Sequence, residues 1–223
     1  MMKRLLMGAV ILSVRLVSPL EGQMEFQDLL GNEKLSQWRS PGKKENGWTL
    51  RSGILQRAQE KTGGLSTVKS YRDFELKFEW KISKGGNSGI IYRSQKGRGL
   101  EYQILDDQGH KRGKDRLHSS AALYDLVEVK PEKPVRPAAQ WNTGRIIASG
   151  DHVEHWLNGE KVLSVDQGSA DWDQRYEKSK YRKHGFKDFG KLSSPILIQD
   201  HGSQVWFREI YIRELKRKPQ VPE

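Results

Sequence analysis

The segment from Asp73 to Ser83, DFELKFEWKIS, sets Phe74, Leu76, Phe78, Trp80 and Ile82 at alternate positions, with Glu75, Lys77, Glu79 and Lys81 between them. A period of two held from Phe74 to Ile82 is the pattern of a strand with one face buried and the other wet. A helix would scatter the same apolar side chains around its whole circumference. Such a strand needs a sheet around it and a second layer over its apolar face. GWTLRSGILQRA reads as a hairpin turning at Ser52 and Gly53, and GGNSGIIYRS and LEYQILD read as strands joined by the Gly-rich QKGRG. GRIIASGDHVEHWLNGEKVLSV holds three strands that turn at SGD and at Asn158-Gly159, a strong two-residue hairpin signal. Two more strands close the chain in SSPILIQDHGSQVWFREIYIREL. GKDRLHSSAALYDL has room for a helical turn, but nothing calls for a long helix, a heptad seam, an internal repeat, a phosphate loop or a dinucleotide fingerprint. The pattern predicts an all-β fold of two antiparallel sheets packed as a sandwich.

Two long stretches fall outside this pattern: His110 to Gln140, with the proline-rich VKPEKPVRPAAQ, and Gln167 to Ser194, which is charged and aromatic. Insertions of this length in a compact domain are usually functional loops. With no cysteine, the chain can form neither a disulfide framework nor a thiolate metal site. The net charge of +11 comes from 39 Lys+Arg against 28 Asp+Glu, but the cations are scattered through KGRG, HKRGKDR, EKSKYRKHGFKD and RELKRKPQ without aromatic interleaving. That argues for a solvated basic surface rather than a nucleic-acid platform. At the N-terminus, Lys3 and Arg4 precede an apolar run from Leu5 to Val14, too short to span a bilayer and suited to the core of an export signal. The expected organisation is a signal peptide over residues 1–23, one sandwich domain over 24–215 and a basic tail over 216–223, in a periplasmic or secreted protein.

Alternation also sorts the strand residues by face. Tyr102 and Ile104 share one face with Asp106, while Glu101 and Gln103 share the other with Leu105. In NSGIIYR, Ile90 and Tyr92 are paired, leaving Asn87, Ile91 and Arg93 opposite; Gln199 and His201 share a face with Leu197. If the faces bearing Arg93, Glu101, Gln103, Gln199 and His201 coincide, they make a polar patch across adjacent strands. Plainer readings exist for each: Glu101 as an exposed partner of Arg93, His201 as a turn cap before Gly202, and His118 as a solvated loop residue. His110 and His184 lie among charges, and His155 shares its face with Val153 and Leu157, which favours packing. Trp156, Trp172 and Trp206 could stack on sugar rings, although aromatics in a sandwich more often serve the core.

Taken in order from about Phe26 to Leu215, DFELKFEWKIS, GGNSGIIYR, EYQILDD, AALYDL, WNTGRIIASGDHVEHWLNGEKV, EKSKY and ILIQDHGSQVWFREIYIREL resemble the bacterial 3-keto-disaccharide hydrolase family. Glu209 departs from it, since the family usually has Asn there, a difference expected to concern a strand edge. The resemblance implies a concanavalin A-like jelly roll, of the lectin and glucanase kind, that cleaves glycosides already oxidised at sugar carbon three. A ketone there acidifies the proton on carbon two, so the glycosidic oxygen can leave by β-elimination, with water adding afterwards. Two carboxylates flanking the anomeric carbon are then unnecessary. The matching positions suggest Glu101 and His201 as base and acid, Arg93 or Lys180 at the enolate oxygen, and Gln103, Asp106, His118, Tyr124 and Gln199 as further substrate contacts. A divalent cation could replace the cationic side chains, with no ligand spacing that assigns it. The substrate implies an upstream sugar 3-oxidoreductase as pathway partner. The alternative is a non-catalytic carbohydrate-binding module on the same sandwich; an ordinary glucanase is disfavoured because Glu101 is followed by Gln103, without the ExDxxE spacing.

Overall fold

The computed structural model describes residues 25–31, 34–41, 47–57, 63–186 and 188–216. The expected signal segment, 1–23, and nearly all of the basic tail lie outside the described residues. Among the described residues thirteen strands form: β1 Gln27–Asp28, β2 Trp38–Arg39, β3 Trp48–Arg51, β4 Ile54–Arg57, β5 Leu65–Tyr71, β6 Phe74–Ile82 and β7 Asn87–Gln95. They are followed by β8 Arg98–Leu105, β9 Asn142–Ser149, β10 His152–Leu157, β11 Glu160–Asp166, β12 Ser194–Ile198 and β13 Val205–Glu214. The larger sheet runs β11-β10-β9-β6-β13-β4-β3, with β1 added beside β13, and the smaller runs β2-β5-β12-β7-β8. Every pairing is antiparallel, as a jelly-roll sandwich requires.

The apolar stripe of β6 faces the smaller sheet, and Phe74, Leu76, Phe78, Trp80 and Ile82 are all buried. Across the gap Phe78 meets Tyr102 edge-on with ring centroids 5.2 Å apart, and Phe74 meets Tyr92 at 5.7 Å. Each aromatic removed from water stabilises the fold by about 2–3 kcal/mol, so these contacts clamp β6 to β7 and β8. Two polar contacts cross the same layer: Tyr102 Oη donates to the Trp156 carbonyl at 3.0 Å, and Tyr92 Oη lies 2.7 Å from His155 Nε2. His155 Nδ1 is 2.9 Å from the Ala121 carbonyl, so the imidazole is fully buried and satisfied at both nitrogens. Burial lowers its pKa to about 4, which keeps it neutral.

The outer face of β6 is less wet than its charges predict. Glu75 is only 2% exposed because Arg145 Nε, at 2.7 Å, and Arg213 Nε, at 2.8 Å, close over its carboxylate. The predicted hairpins turn where the chain can adopt positive φ, at Ser52-Gly53, Lys96-Gly97 and Asn158-Gly159. Glu209 also has φ 51, at a bulge between Arg208 and Tyr211. Because β13 lies between β6 and β4, this is an interior bulge, not the strand edge expected from sequence. Asn visits the left-handed region far more readily than Glu, so a glutamate here is strained.

Helix α1, Ala170–Lys178, is a feature that the alternation analysis misses. Its signals are local: Ser169 Oγ accepts from Trp172 N at the N-cap, Asp171 and Asp173 occupy the first turn, and Arg175 and Lys178 occupy the last. Trp172 is buried beneath it, and a short 3-10 turn, Arg182–His184, follows.

Candidate active site

The outer face of the smaller sheet carries the site. In the β7–β8 register Ile91 opposes Glu101 and Gly89 opposes Gln103, while β12 runs along the other side of β7. Gln199 N donates to the Gly89 carbonyl at 2.9 Å, bringing the Gln199 side chain over β7. Gly89 is what allows this convergence. A Cβ there would lie 2.5 Å from Gln199 Oε1 and 2.9 Å from Glu101 Oε1, so any other residue would displace the amide or the carboxylate. Two insertions roof the floor. From the first, Tyr124 N donates to the Glu101 carbonyl at 3.1 Å; from the second, Lys180 N donates to Asp125 Oδ2 at 2.5 Å, tying the two together.

The sheet, the β7–β8 turn and the second insertion line a pocket of about 300 Å³. Glu101 and Gln199 form its polar floor, with Ile91 and Tyr181 as apolar wall. Lys180 Nζ packs 3.8 Å from the ring centroid of Tyr124 and 4.9 Å from that of Tyr181. Glu101 is only 6% exposed, and burial raises its pKa to about 7; Lys180, a hydrogen bond from Gln199 and His118 pull the other way without cancelling the effect. Desolvation lowers the Lys180 pKa, and Glu101 and Asp125 partly restore it. Gln199 Oε1 is buried without a hydrogen-bond partner among the described residues. A carboxyl able to exchange a proton near neutrality thus faces an ammonium group and an unused acceptor.

The other expected site residues divide into those near the pocket and those elsewhere. His118 stands behind Tyr124, with ring centroids 4.8 Å apart, held by Asp115 Oδ2 at 2.5 Å and Asp125 Oδ1 at 2.9 Å. Tyr124 Oη accepts from Arg112 Nη1 at 2.7 Å. His201 follows β12 on the same sheet and is exposed; desolvation, with Lys180 adding to it against Asp200, lowers its pKa. Gln103 does share the Glu101 face, but it is buried beneath the first insertion, where its backbone pairs with Ala121 and Ala122.

Arg93 and Asp106 do not reach the pocket. Arg93 has φ 47 in a bulge between Tyr92 and Gln95, which turns its side chain away from the face that strict alternation assigns. Its fully buried guanidinium donates to the Arg72 carbonyl at 2.7 Å, Gln167 Oε1 at 3.0 Å and Asp73 Oδ1 at 3.1 Å, anchoring the second insertion to the sandwich. Asp106 caps the turn beyond β8, accepting from Gly85 N at 2.7 Å and Gln108 N at 3.2 Å. Arg98, Lys183 and His184 line the pocket unanticipated. Their sequence signal was the basic composition of QKGRG and EKSKYRKH, which looked scattered because the two segments meet only in space. Among the described residues no three His, Asp or Glu side chains are grouped to hold a metal ion, and both His118 ring nitrogens are engaged by carboxylates.

Fold and pocket together define a two-sheet jelly-roll sandwich with a polar site on the outer face of its smaller sheet. A β-glucanase of Bacillus licheniformis shares the fold alone, with a TM-score of 0.52 at 12% identity over 88% of this chain and 100% of that chain. Within the class the chain belongs to the 3-keto-alpha-glucoside-1,2-lyase-like domain family, whose model matches residues 25–213. A 3-keto-disaccharide hydrolase of Bacteroides thetaiotaomicron is 32% identical, covering 80% of this chain and 74% of the relative. A crystal structure of a provisionally named glycosyl hydrolase from Parabacteroides distasonis has a TM-score of 0.75 at 30% identity, covering 86% of this chain and 94% of that one.

Proposed function

We propose that the protein is a glycoside-cleaving hydrolase acting on 3-keto-glycosides in the pocket on the smaller sheet. The observation that carries this reading is Glu101, a buried carboxyl held near pKa 7 opposite Lys180. Such a group is a competent base at neutral pH, whereas an ordinary exposed glutamate is too acidic to serve. In the proposed reaction the Glu101 carboxylate takes the proton from carbon two. The electrons of that bond form an enolate, whose oxygen on carbon three faces the Lys180 ammonium. Collapse of the enolate expels the glycosidic oxygen from carbon one, and the protonated Glu101 carboxyl returns the proton to it. Water then adds across the new double bond, its oxygen to carbon one and a proton to carbon two, so the net change is hydrolysis.

Gln199 Oε1, without a partner among the described residues, suits a sugar hydroxyl as donor, and His201, just past β12 and within reach of the Lys180 charge, is biased toward neutral imidazole and suits a second hydroxyl. Unoxidised glycosides lack the acidic proton, so the reading requires an enzyme upstream that oxidises sugar carbon three. The test follows aglycone release from a 3-keto-glucoside and from its unoxidised parent, with and without chelator, by the wild-type and Glu101→Gln proteins. Cleavage of the keto form alone, lost in the variant, is expected. Cleavage of the parent alone would overturn the assignment, and a binding module would cleave neither.

A further inference from the structure

The pocket has one carboxylate and an excess of basic groups. Arg98 enters from the β7–β8 turn, while Lys180, Lys183 and His184 enter from the second insertion, so two distant segments bring their charges to one opening. Lys180 is answered by Glu101 and Asp125. Arg98 and Lys183 are not answered: both are exposed, and no described carboxylate lies within ion-pair distance of either. Glu177, the nearest acidic residue preceding Lys183 in sequence, is taken by Arg182.

Exposed cations without an ion pair occur elsewhere on the surface, as at Lys84 and Lys114, but there they stand singly, whereas at the pocket four basic groups share one opening. The crowding is felt at His184, whose pKa is lowered by desolvation and then by Arg98, Lys183 and Lys180. Like charges gathered around a concavity focus a positive potential into it, and an anion entering relieves their repulsion. Gly97 and Gly99 flank Arg98, so neither sequence neighbour puts a side chain between its guanidinium and the opening.

We infer that the pocket takes glycosides bearing an acidic substituent, a carboxylate or an ester of similar charge, with Arg98 and Lys183 as the residues that hold it. This rests on the proposed reading of the same site, and it adds the chemical class of the substrate. An exposed ion pair contributes up to a few-fold in affinity, so two acting together on one anion amount to about 3- to 10-fold. The measurement compares kcat/KM for two 3-keto-glucosides whose phenolic aglycones match in acidity, one neutral and one carrying a ring carboxylate. The acidic substrate is expected to lead by about that factor at low ionic strength. The lead should shrink with added salt and in the Arg98→Ala/Lys183→Ala double variant, where kcat/KM for the acidic substrate falls more than for the neutral one. Equal values for both substrates, or a lead that survives in the double variant, would sink the inference while leaving the hydrolase reading intact. A second arm titrates the Glu101→Gln protein with the two unoxidised parents. Tighter binding of the acidic parent, where the wild-type protein cleaves neither keto substrate, would retain the anion site and reject the hydrolase reading; equal binding rejects the anion site.

Discussion

A carboxyl with Ile91 and the roof of the pocket around it loses hydration that Lys180 and the Gln199 amide only partly replace. Between pH 4.5, where Glu101 titrates in the unfolded chain, and about 7, the folded protein keeps a proton that the unfolded chain has released. Burial of Glu101 therefore costs nothing below 4.5 and destabilises the fold increasingly as pH rises through 7, by an amount on the order of 3 kcal/mol. Glu101→Gln is expected to lower kcat by about 10²–10⁴-fold and yet to melt at higher temperature than wild type at pH 8, with the two curves converging near pH 4.5. Steady-state kinetics and calorimetry across that range check both halves, and a variant that is inactive but no more stable at pH 8 contradicts the proposed environment. Glu209 carries a different strain. Its φ of 51 is costly for a glutamate, and its side chain accepts from Tyr211 Oη at the exposed surface. Glu209→Asn should raise stability by about 0.5–1 kcal/mol in urea denaturation.

At the scale of elements, the bulge in β7 separates what alternation could read from what it could not. Ile90, Tyr92, Tyr102 and Ile104 face the core as the period of two predicts, and Glu101 and Gln199 meet on the other face. One residue past Tyr92 the strand shifts register, and Arg93 turns from the expected cleft into the protein. Removing its side chain leaves Asp73 and Gln167 short of a buried donor, so Arg93→Ala is expected to destabilise by about 3 kcal/mol or more. Denaturation midpoints report this directly, and KM in the surviving folded protein should move little, which a substrate-binding arginine would not permit. Lysine is a poor replacement because it cannot fork between three acceptors. Helix α1 was legible through Ser169 and the charge order that follows it, signals that a search tuned to strands passes over. The joining of Arg98 to Lys183 and His184 was not legible, because no local pattern tells which loops of a sandwich fold over which sheet.

For the whole molecule, the sheets, their hairpins and the buried face of β6 followed from periodicity and turn chemistry, whereas the pocket depended on how two long insertions roof the smaller sheet. The core contains a second displaced group, His155, whose pKa falls from 6.5 to about 4. Its effect has the opposite sign: below 6.5 the unfolded chain binds a proton that the buried imidazole refuses, so stability is lost as pH falls from 6.5 toward 4. Over pH 6.5 to 4.5 the Glu101 and His155 contributions oppose each other and are of similar size. Wild-type stability from these two groups should be nearly flat there, and the Glu101→Gln protein should lose stability steadily on acidification through the same window. Denaturant titrations at half-unit steps in pH would show it; parallel profiles for the two proteins would refute it. The bond from Lys180 N to Asp125 Oδ2 fastens one insertion to the other beside the pocket. A change in the length of either covering is therefore expected to propagate to its partner, while the sandwich beneath goes on folding as before.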